Sequence, residues 1–551
     1  MPGESRGERA TRGRSKWAVV IALASAQFIM VLDSTVMNVS IQKVIDDLDT
    51  TVPRMQLAIA TYTLTTAALM MVGGKIGDII GRRRAFRIGL ITFGVGAGIT
   101  AAAPTIAVLV GGWSILEAVG AALMIPAVAA LITSNYHGRE RAIAFGIIGG
   151  IAGAAAAAGP IIGGWVSTAF SWRVVFAAEV VIVFGLLAAS RLIRDAPREG
   201  PRPKLDVVGA LLSASGLALI VFGIVQSTEW GWIEPKQALS IGSTEITPFG
   251  FSVVPFLICA GIPLLFAFAA WETRLSERGG DPLVQLSMLR IARLRAGLSS
   301  YAVMMLGLGG TFFVLPLYLQ IVLGKDPLET GLRVLPLSLA VFAVSLLASR
   351  MSGRIAPRRI VRVGMATVLV GILLLLATIE PTLEAVEFLA SMAIVGTGLG
   401  MIGSQLGNVN LSSVEPAQTS EAGGLQGTAQ NLGLALGTAI IGSILLTSLT
   451  GAFNSHVADS PDLPAHVRSE VESATKDGLE FVPASSVEQV VRNRGASKQV
   501  AEELTSAYED AQVLALKAAL GGVAVAMVLG FWATRRLPDQ PLAPAPPAAA
   551  T

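Results

Sequence analysis

The sequence predicts an all-α membrane protein with fourteen transmembrane helices and both termini in the cytoplasm. Three observations carry that expectation. Apolar residues make up 53% of the 551-residue chain and charged residues only 14%, with a mean hydropathy of +0.65. A soluble domain carries about 25% charged residues, so this excess needs lipid as its solvent. Apolar segments recur at 17–41, 56–74, 85–103, 106–134, 141–165, 172–193, 206–227, 252–271, 296–322, 329–349, 360–379, 385–411, 422–448 and 511–534. Finally, basic residues gather in alternate connections, at Arg82-Arg83-Arg84, Arg191/Arg194/Arg198/Arg202/Lys204, Arg290/Arg293/Arg295 and Arg358-Arg359/Arg362. That is the positive-inside pattern.

Residues 1–16 carry Arg6, Arg9, Arg12, Arg14 and Lys16. They resemble the basic region of a secretory signal with a cleavage site at Ala22-Leu23-Ala24, but the apolar run continues well past that point. A retained first helix with a basic cytoplasmic tail is therefore expected. Within that helix lies Leu32-Asp33-Ser34-Thr35-Val36-Met37-Asn38-Val39. A helix from Lys16 reaches roughly 25 Å by Asp33, still inside a hydrocarbon core of about 30 Å. A carboxylate there costs about 2.5–3.5 kcal/mol, so it must face protein or water. The alternative, that Asp33 ends the helix at the outer boundary, sits poorly with Val36, Val39 and Ile41 beyond it.

Between the second and third segments, Gly74 to Arg84 includes Gly77, Asp78, Gly81, Arg82 and Arg83. The glycines permit a sharp turn. Asp78 can pair with Arg82, with Arg83 or with a helix end of the other half, making a cytoplasmic latch; the plainer reading is topology set by the arginines alone. Ser349 to Arg359 occupies the equivalent connection in the second half, keeping basic residues and lacking the aspartate. Two related halves suggest a two-bundle transporter with its site at their interface.

The fourth segment places Glu117 about mid-membrane, a candidate for proton exchange or for a bond between helices. The fifth runs from Gly149-Gly150 through Ala154 to Ala158, then Gly159-Pro160-Ile161-Ile162-Gly163-Gly164. Small residues allow close helix approach and Pro160 removes a backbone hydrogen bond. The sixth carries Glu179, for which a structural hydrogen bond is as good an expectation as a functional one. Arg173, six residues away, is not on its helical face. Residues 228–251 make an outer loop with interfacial Trp230 and Trp232, and 449–510 a long outer excursion with two short amphipathic helices. The Pro/Ala-rich tail at 535–551 is expected to be disordered.

Some chemistry is excluded. Cys259 is the only cysteine, so no intrachain disulfide or cysteine-based metal site exists. His137, His456 and His466 fall in expected loops. Gly73-Gly74-Lys75 is followed by Ile76, not Ser or Thr, so no phosphate loop forms and ATP is not expected as the driving force. Neither a cofactor, a metal nor nucleic acid is expected, and no nucleophile–histidine pair suggests an enzyme.

In this order Leu32 to Val39, Gly77-Asp78-x-x-Gly81-Arg82-Arg83 and Gly159-Pro160-x-x-Gly163-Gly164 resemble the signature motifs of the fourteen-helix drug:proton antiporter branch of the major facilitator superfamily. Leu315-Pro316-Leu317-Tyr318-Leu319-Gln320 and Gly331-Leu332-Arg333-Val334-Leu335-Pro336 extend the similarity into the second half, over roughly 15–535. The resemblance implies six-helix bundles at 17–193 and 296–534, with two helices inserted in a 194–295 linker. It also implies alternating access and proton-driven export in the bacterial inner membrane. Two departures stand out. Where the family has an arginine and a glutamine in helix 4, this chain has Ser114 and Glu117; where helix 6 usually has asparagine, Glu179 stands. A buried cation is lost and two acids are gained, which puts the family's usual proton route in question.

Asp33 and Glu117 are thus the candidates for proton coupling and substrate-cation contact, with Glu179 a secondary acid. Gln405, Asn408 and Asn410 in helix 12, and Gln426, Gln430 and Asn431 in helix 13, either line the path or bond between helices. Tyr318, Met304 and Met305 offer apolar contact to a bulky substrate or pack the core. The expected function is proton-coupled export of lipophilic, cationic compounds by a monomer in the lipid bilayer. The same fold exporting an endogenous lipid, siderophore or secondary metabolite is the alternative, ahead of a non-transporting sensor or assembly protein.

Overall fold

A computed structural model describes residues 6–540, apart from 137, 194, 196–203, 237–238, 242–243, 352–353, 381–384, 415–417, 462 and 477. Arg194, Arg198, Arg202, His137 and the tail from 541 onward therefore lie outside the described residues. Each of the fourteen apolar segments is a helix. The first half holds α1 (Arg6–Val39), α2 (Val52–Ile80), α3 (Arg82–Ala101), α4 (106–135), α5 (Gly138–Ala169) and α6 (Trp172–Ala189). Then come α7 (Val207–Trp230) and α8 (Val254–Glu277). The second half holds α9 (Ala292–Val322), α10 (Pro327–Met351), α11 (Pro357–Thr378), α12 (Ala385–Ser412), α13 (Thr419–Asp459) and α14 (Lys498–Ala533). Among the described residues, 12 of these are long and apolar enough to cross a membrane. The other two are α3, which opens with Arg82, Arg83 and Arg84, and α5, which borders the undescribed His137.

Residues that face outward are those lipid would cover. Ile88, Ile91 and Val95 on α3, Val181 and Phe184 on α6, and Leu373 and Leu374 on α11 are all exposed. Polar groups turn inward instead, because an unsatisfied one in hydrocarbon costs several kcal/mol. Within the first half, α1 packs on α5 and α6, α3 on α4 and α6, and α2 on α4. In the second half, α9 packs on α13 and α14, α12 on α10 and α11, and α13 on α14. The halves meet along α2·α13 and α5·α10, and the inserted pair α7–α8 leans on that first seam through α7.

Several details differ from the sequence expectation, and one is the tail: residues 535–540 are placed against the second half, with Leu537 buried and Arg358 paired with Asp539 at 2.6 Å. α13 continues to Asp459 and α14 begins at Lys498, so the outer excursion is shorter than 449–510. Hydropathy marks only the lipid-embedded part, whereas these helices go on packing in water: the Phe453 and Tyr508 rings meet edge to face at 5.8 Å. His456 accordingly sits on α13, exposed, and not in a loop. The outer 228–251 loop contains a two-stranded antiparallel hairpin, β1 (Leu239–Ile241) and β2 (Thr244–Ile246). The two short outer helices are present at Ala465–Ala474 and Ala484–Asn493.

The glycines of α5 set its distance from its neighbours. A methyl group added at Gly159 would overlap Thr35 of α1, and one at Gly163 would lie 2.7 Å from Val36 Cγ2. At Gly164 it would overlap Pro327 at the start of α10, and Gly331 of α10 in turn faces the Pro160 carbonyl. The stretch that binds α1 to α5 thus begins two residues after Asp33, at Thr35. Gly163→Leu is expected to reduce folded yield and lower the thermal midpoint in detergent, since overpacking costs about 1–3 kcal/mol or more. Gly185→Leu, at an exposed position on α6 with open space around it, should leave the midpoint within about 1 °C, a shift smaller than one such cost would give.

Candidate functional site

Inside the first half, three helices bring three carboxyl groups to one point, and two more supply groups around them. Asp33 comes from α1, Glu117 from α4 and Glu179 from α6, and they are 0%, 0% and 1% exposed. One oxygen from each lies within 4.8 Å of the others. The fourth helix, α3, supplies Thr100, whose hydroxyl donates to Glu117 Oε1 at 2.8 Å. Trp113 of α4 donates its indole N–H to Asp33 Oδ1 at 2.8 Å. The Tyr62 ring of α2 stacks on Trp113 with centroids 4.8 Å apart, and its hydroxyl is directed at Asp33. The remaining oxygens, Asp33 Oδ2, Glu117 Oε2 and both of Glu179, have no hydrogen-bond donor.

The local fold explains the convergence. Residues Val110–Glu117 of α4 form a π-helix, between α-helical turns on either side. A π segment widens the turn to i→i+5 bonds and re-aims the side chains within it. Here Gly112, Trp113, Ser114 and Glu117 all become buried. Ser114, at the position of the family arginine, donates its hydroxyl to the Ala58 carbonyl of α2 at 2.8 Å. Gly96 of α3 makes room for the acid: a methyl group there would stand 2.6 Å from Glu117 Cγ.

Electrostatics limits what this cluster can carry. Two unit charges 4.8 Å apart repel by about 3.5 kcal/mol at an effective dielectric of about 20. Among the described residues no Lys or Arg pairs with the trio; Arg173 instead pairs with Asp47 and stacks over Trp172. Three ionised carboxylates are therefore not sustainable together, and the cluster keeps protons. A hard metal ion is a poorer match, because Ca²⁺ takes about 6–8 oxygen ligands and the groups added by Trp113 and Thr100 point hydrogens at the carboxylates.

The other sequence candidates fall elsewhere. Asp78 pairs with Arg82, while Arg83 reaches α6, its Nε donating to Ser190 O at 3.0 Å and its backbone N–H to Asp195 Oδ1 at 3.0 Å. Gly77 packs against Arg82 and Gly81 takes φ +102° between α2 and α3. Gln405 is fully buried and donates to the Ala348 carbonyl at 2.9 Å, which ties α12 to α10. Asn410 donates to Gln426 Oε1 at 3.2 Å, and Asn431 to Gly427 O at 3.0 Å within its own helix. Gln430 is half-buried and Asn408 exposed. Tyr318, Met304 and Met305 are core residues, the Tyr318 hydroxyl donating to Glu380 O at 2.8 Å. On the outer face the halves are held together: Gln320 Nε2 donates to Val39 O, and Gln42 N–H to Gln320 Oε1 at 3.2 Å.

Comparison with known proteins agrees with this architecture. The sequence profile of the Major Facilitator Superfamily matches residues 23–438. A probable actinorhodin transporter of Streptomyces coelicolor is 30% identical, over 90% of this chain and 83% of its own. A puromycin resistance protein of Streptomyces alboniger is 32% identical over 84% and 88%, and a multidrug efflux pump of Mycolicibacterium smegmatis 27% over 84% and 86%. A bacterial homologue of the human lysosomal transporter Spinster, crystallised inward-facing and unoccupied, superposes with a TM-score of 0.59 at 16% identity, covering 96% of this chain and 99% of that one. At that identity the likeness is one of fold.

Glu179 gives this site a distinctive test. Glu179→Met keeps a flexible side chain of similar length and removes one acid that accepts no hydrogen bond. It is expected to raise the thermal midpoint, by an amount corresponding to about 1–3 kcal/mol, while lowering export. A fall in the midpoint would identify Glu179 as a bonding partner for its neighbours.

Proposed function

Taking as premise that the chain belongs to the Major Facilitator Superfamily, we propose that it is a proton-coupled exporter of lipophilic compounds. The chain is a multi-pass transporter of the inner membrane and not an enzyme. The single observation that carries proton coupling is the Asp33–Glu117–Glu179 cluster, where burial without a paired cation among the described residues makes protons the natural occupants. It sits beside α5, whose glycines pack against α1 just beyond Asp33, so a change of charge in the cluster acts on the helices that hold the halves together.

In the proposed cycle, bundles at 17–193 and 296–534 rock about their shared seam. A lipophilic cation enters between them from the cytoplasm or inner leaflet, attracted while the cluster is negative. After the switch to an outward-facing state, protons from outside neutralise the carboxyls and remove that attraction. Each proton entering contributes about 2.3 kcal/mol per 100 mV of membrane potential. Because the trio is enclosed in the first half and its donors are Trp113 and Thr100, coupling runs through those side chains and does not require the substrate to touch Asp33. Gly77, Asp78, Gly81, Arg82 and Arg83 serve as the cytoplasmic latch. A monomer is sufficient for this scheme.

A second reading concerns cargo. Relatives named for actinorhodin transport and for cephamycin export support a secondary metabolite as cargo, beside those named for resistance and multidrug efflux. Purified protein in liposomes under an imposed pH gradient, with ethidium as substrate, tests the proposal. Gradient-dependent flux is expected in the wild type and lost in Asp33→Asn and Glu117→Gln, each still eluting as folded protein. Full activity in both variants would remove the cluster from the mechanism. Absence of wild-type ethidium flux, with gradient-driven export of actinorhodin, would move the cargo to secondary metabolites.

A further inference from the structure

A second buried pair of acids lies outside the cluster, where the inserted helices meet the cytoplasmic face. Asp206 caps α7, accepting from Gly209 N–H at 2.9 Å, and Trp271 of α8 donates its indole N–H to the same carboxylate at 2.9 Å. The next residue, Glu272, is 1% exposed, and its Oε1 and Asp206 Oδ2 converge over Gly209, where an added methyl would strike both. The other oxygen of Glu272 accepts the Val284 backbone N–H at 3.1 Å. Glu272 thus grips a strap, residues 281–285, that follows α8 and reaches both α2 and the start of α13.

The strap touches both halves. The Pro282 carbonyl accepts the Lys75 ammonium of α2 at 3.1 Å. Gln285 Oε1 accepts the Gln418 side-chain N–H at 3.3 Å, just ahead of α13. Leu283 and Val284 are buried, and with Lys75, Asp78, Glu421 and Gly424 they line a cavity of about 70 Å³ at the cytoplasmic end of the α2·α13 seam. A segment bonded at once to α2, to α13 and to the inserted pair opposes separation of the halves on this side.

We propose that Glu272 is a positioning residue for transport: it holds the 281–285 strap across the cytoplasmic seam, so that the inserted helices set how readily the inner gate opens. The role rests on the alternating-access reading above. It gives α7 and α8, which contribute nothing to the acid cluster, a mechanical place in the cycle. Lys75 is the strap's anchor on the first half and Gln418 its anchor on the second.

The test uses full-length protein with Cys259→Ser and a reporter Gly424→Cys, at a cavity-lining position where an added side chain meets open space. A membrane-impermeant maleimide is applied from the cytoplasmic side, which reads gating without requiring flux of any cargo. Labelling is expected to be several-fold faster in Glu272→Ala and in Lys75→Met than in the parent. Separately, bridging Gln285→Cys to Gln418→Cys with a thiol-cleavable bifunctional reagent should slow reporter labelling, with recovery on reduction; here the reporter is a p-acetylphenylalanine at 424 read with a hydroxylamine dye. Equal rates in parent and variants, or a bridge without effect, would overturn the strap's role. If Glu272→Ala does not fold, Lys75→Met and the bridge decide. Failure of ethidium export with intact changes in labelling would discard the cargo reading and keep the strap's role.

Discussion

Three carboxyl groups in one water-excluded space, with no paired cation among the described residues, are the constraint on which the rest of this molecule turns. Repulsion of about 3.5 kcal/mol for each charged pair is a large fraction of a protein's net stability of about 5–15 kcal/mol. Protonation would relieve that repulsion. A site whose stability depends on holding protons is also one whose neighbours respond when protons leave. In the proposed cycle, that is the link between an ion gradient and a change of shape.

The surrounding fold is arranged to let those side chains meet. Gly96 lets α3 approach the Glu117 stem, and the π segment of α4 turns both Trp113 and Glu117 inward. Gly159 and Gly163 bring α5 against Thr35 and Val36, while Gly164 and Gly331 bring it against α10. Small residues do in lipid what the hydrophobic effect does in water, since apolar helices gain little there except by close packing. The contact between halves is thus shared by backbones that sit within a turn or two of the acids. At the cytoplasmic end, the contacts include Asp78 with Arg82, Arg83 with the end of α6, and the strap from α8.

The membrane topology was legible because hydropathy and positive charge read directly on lipid depth. Asp33 and Glu117 were legible as buried acids for the same reason. What hydropathy does not report is rotation about a helix axis. For Glu179 a structural hydrogen bond was as good an expectation as a functional role, and hydropathy could not show that Val181 and Phe184 face out while Glu179 faces in. The π segment at Val110–Glu117 leaves no mark in residue spacing that distinguishes it from an α-helix, so Trp113 escaped notice as the donor to Asp33. Gln405 was open between lining the path and bonding between helices, and it is a buried tie between α12 and α10. The Glu272 strap was equally hidden, since its partners are 12 and more than 200 residues apart in sequence. Only the seam between inserted helices and both halves brings them together.

The central claim is that the Asp33–Glu117–Glu179 cluster exchanges protons in step with substrate binding. The direct measurement is proton release on addition of ethidium to purified protein in weakly buffered detergent solution, followed with a pH-sensitive dye. The account predicts release in the wild type and its loss in Asp33→Asn, with ethidium binding still measurable by fluorescence. Release of the same size in Asp33→Asn, or binding in the wild type with no release at any pH between 6 and 9, would contradict it.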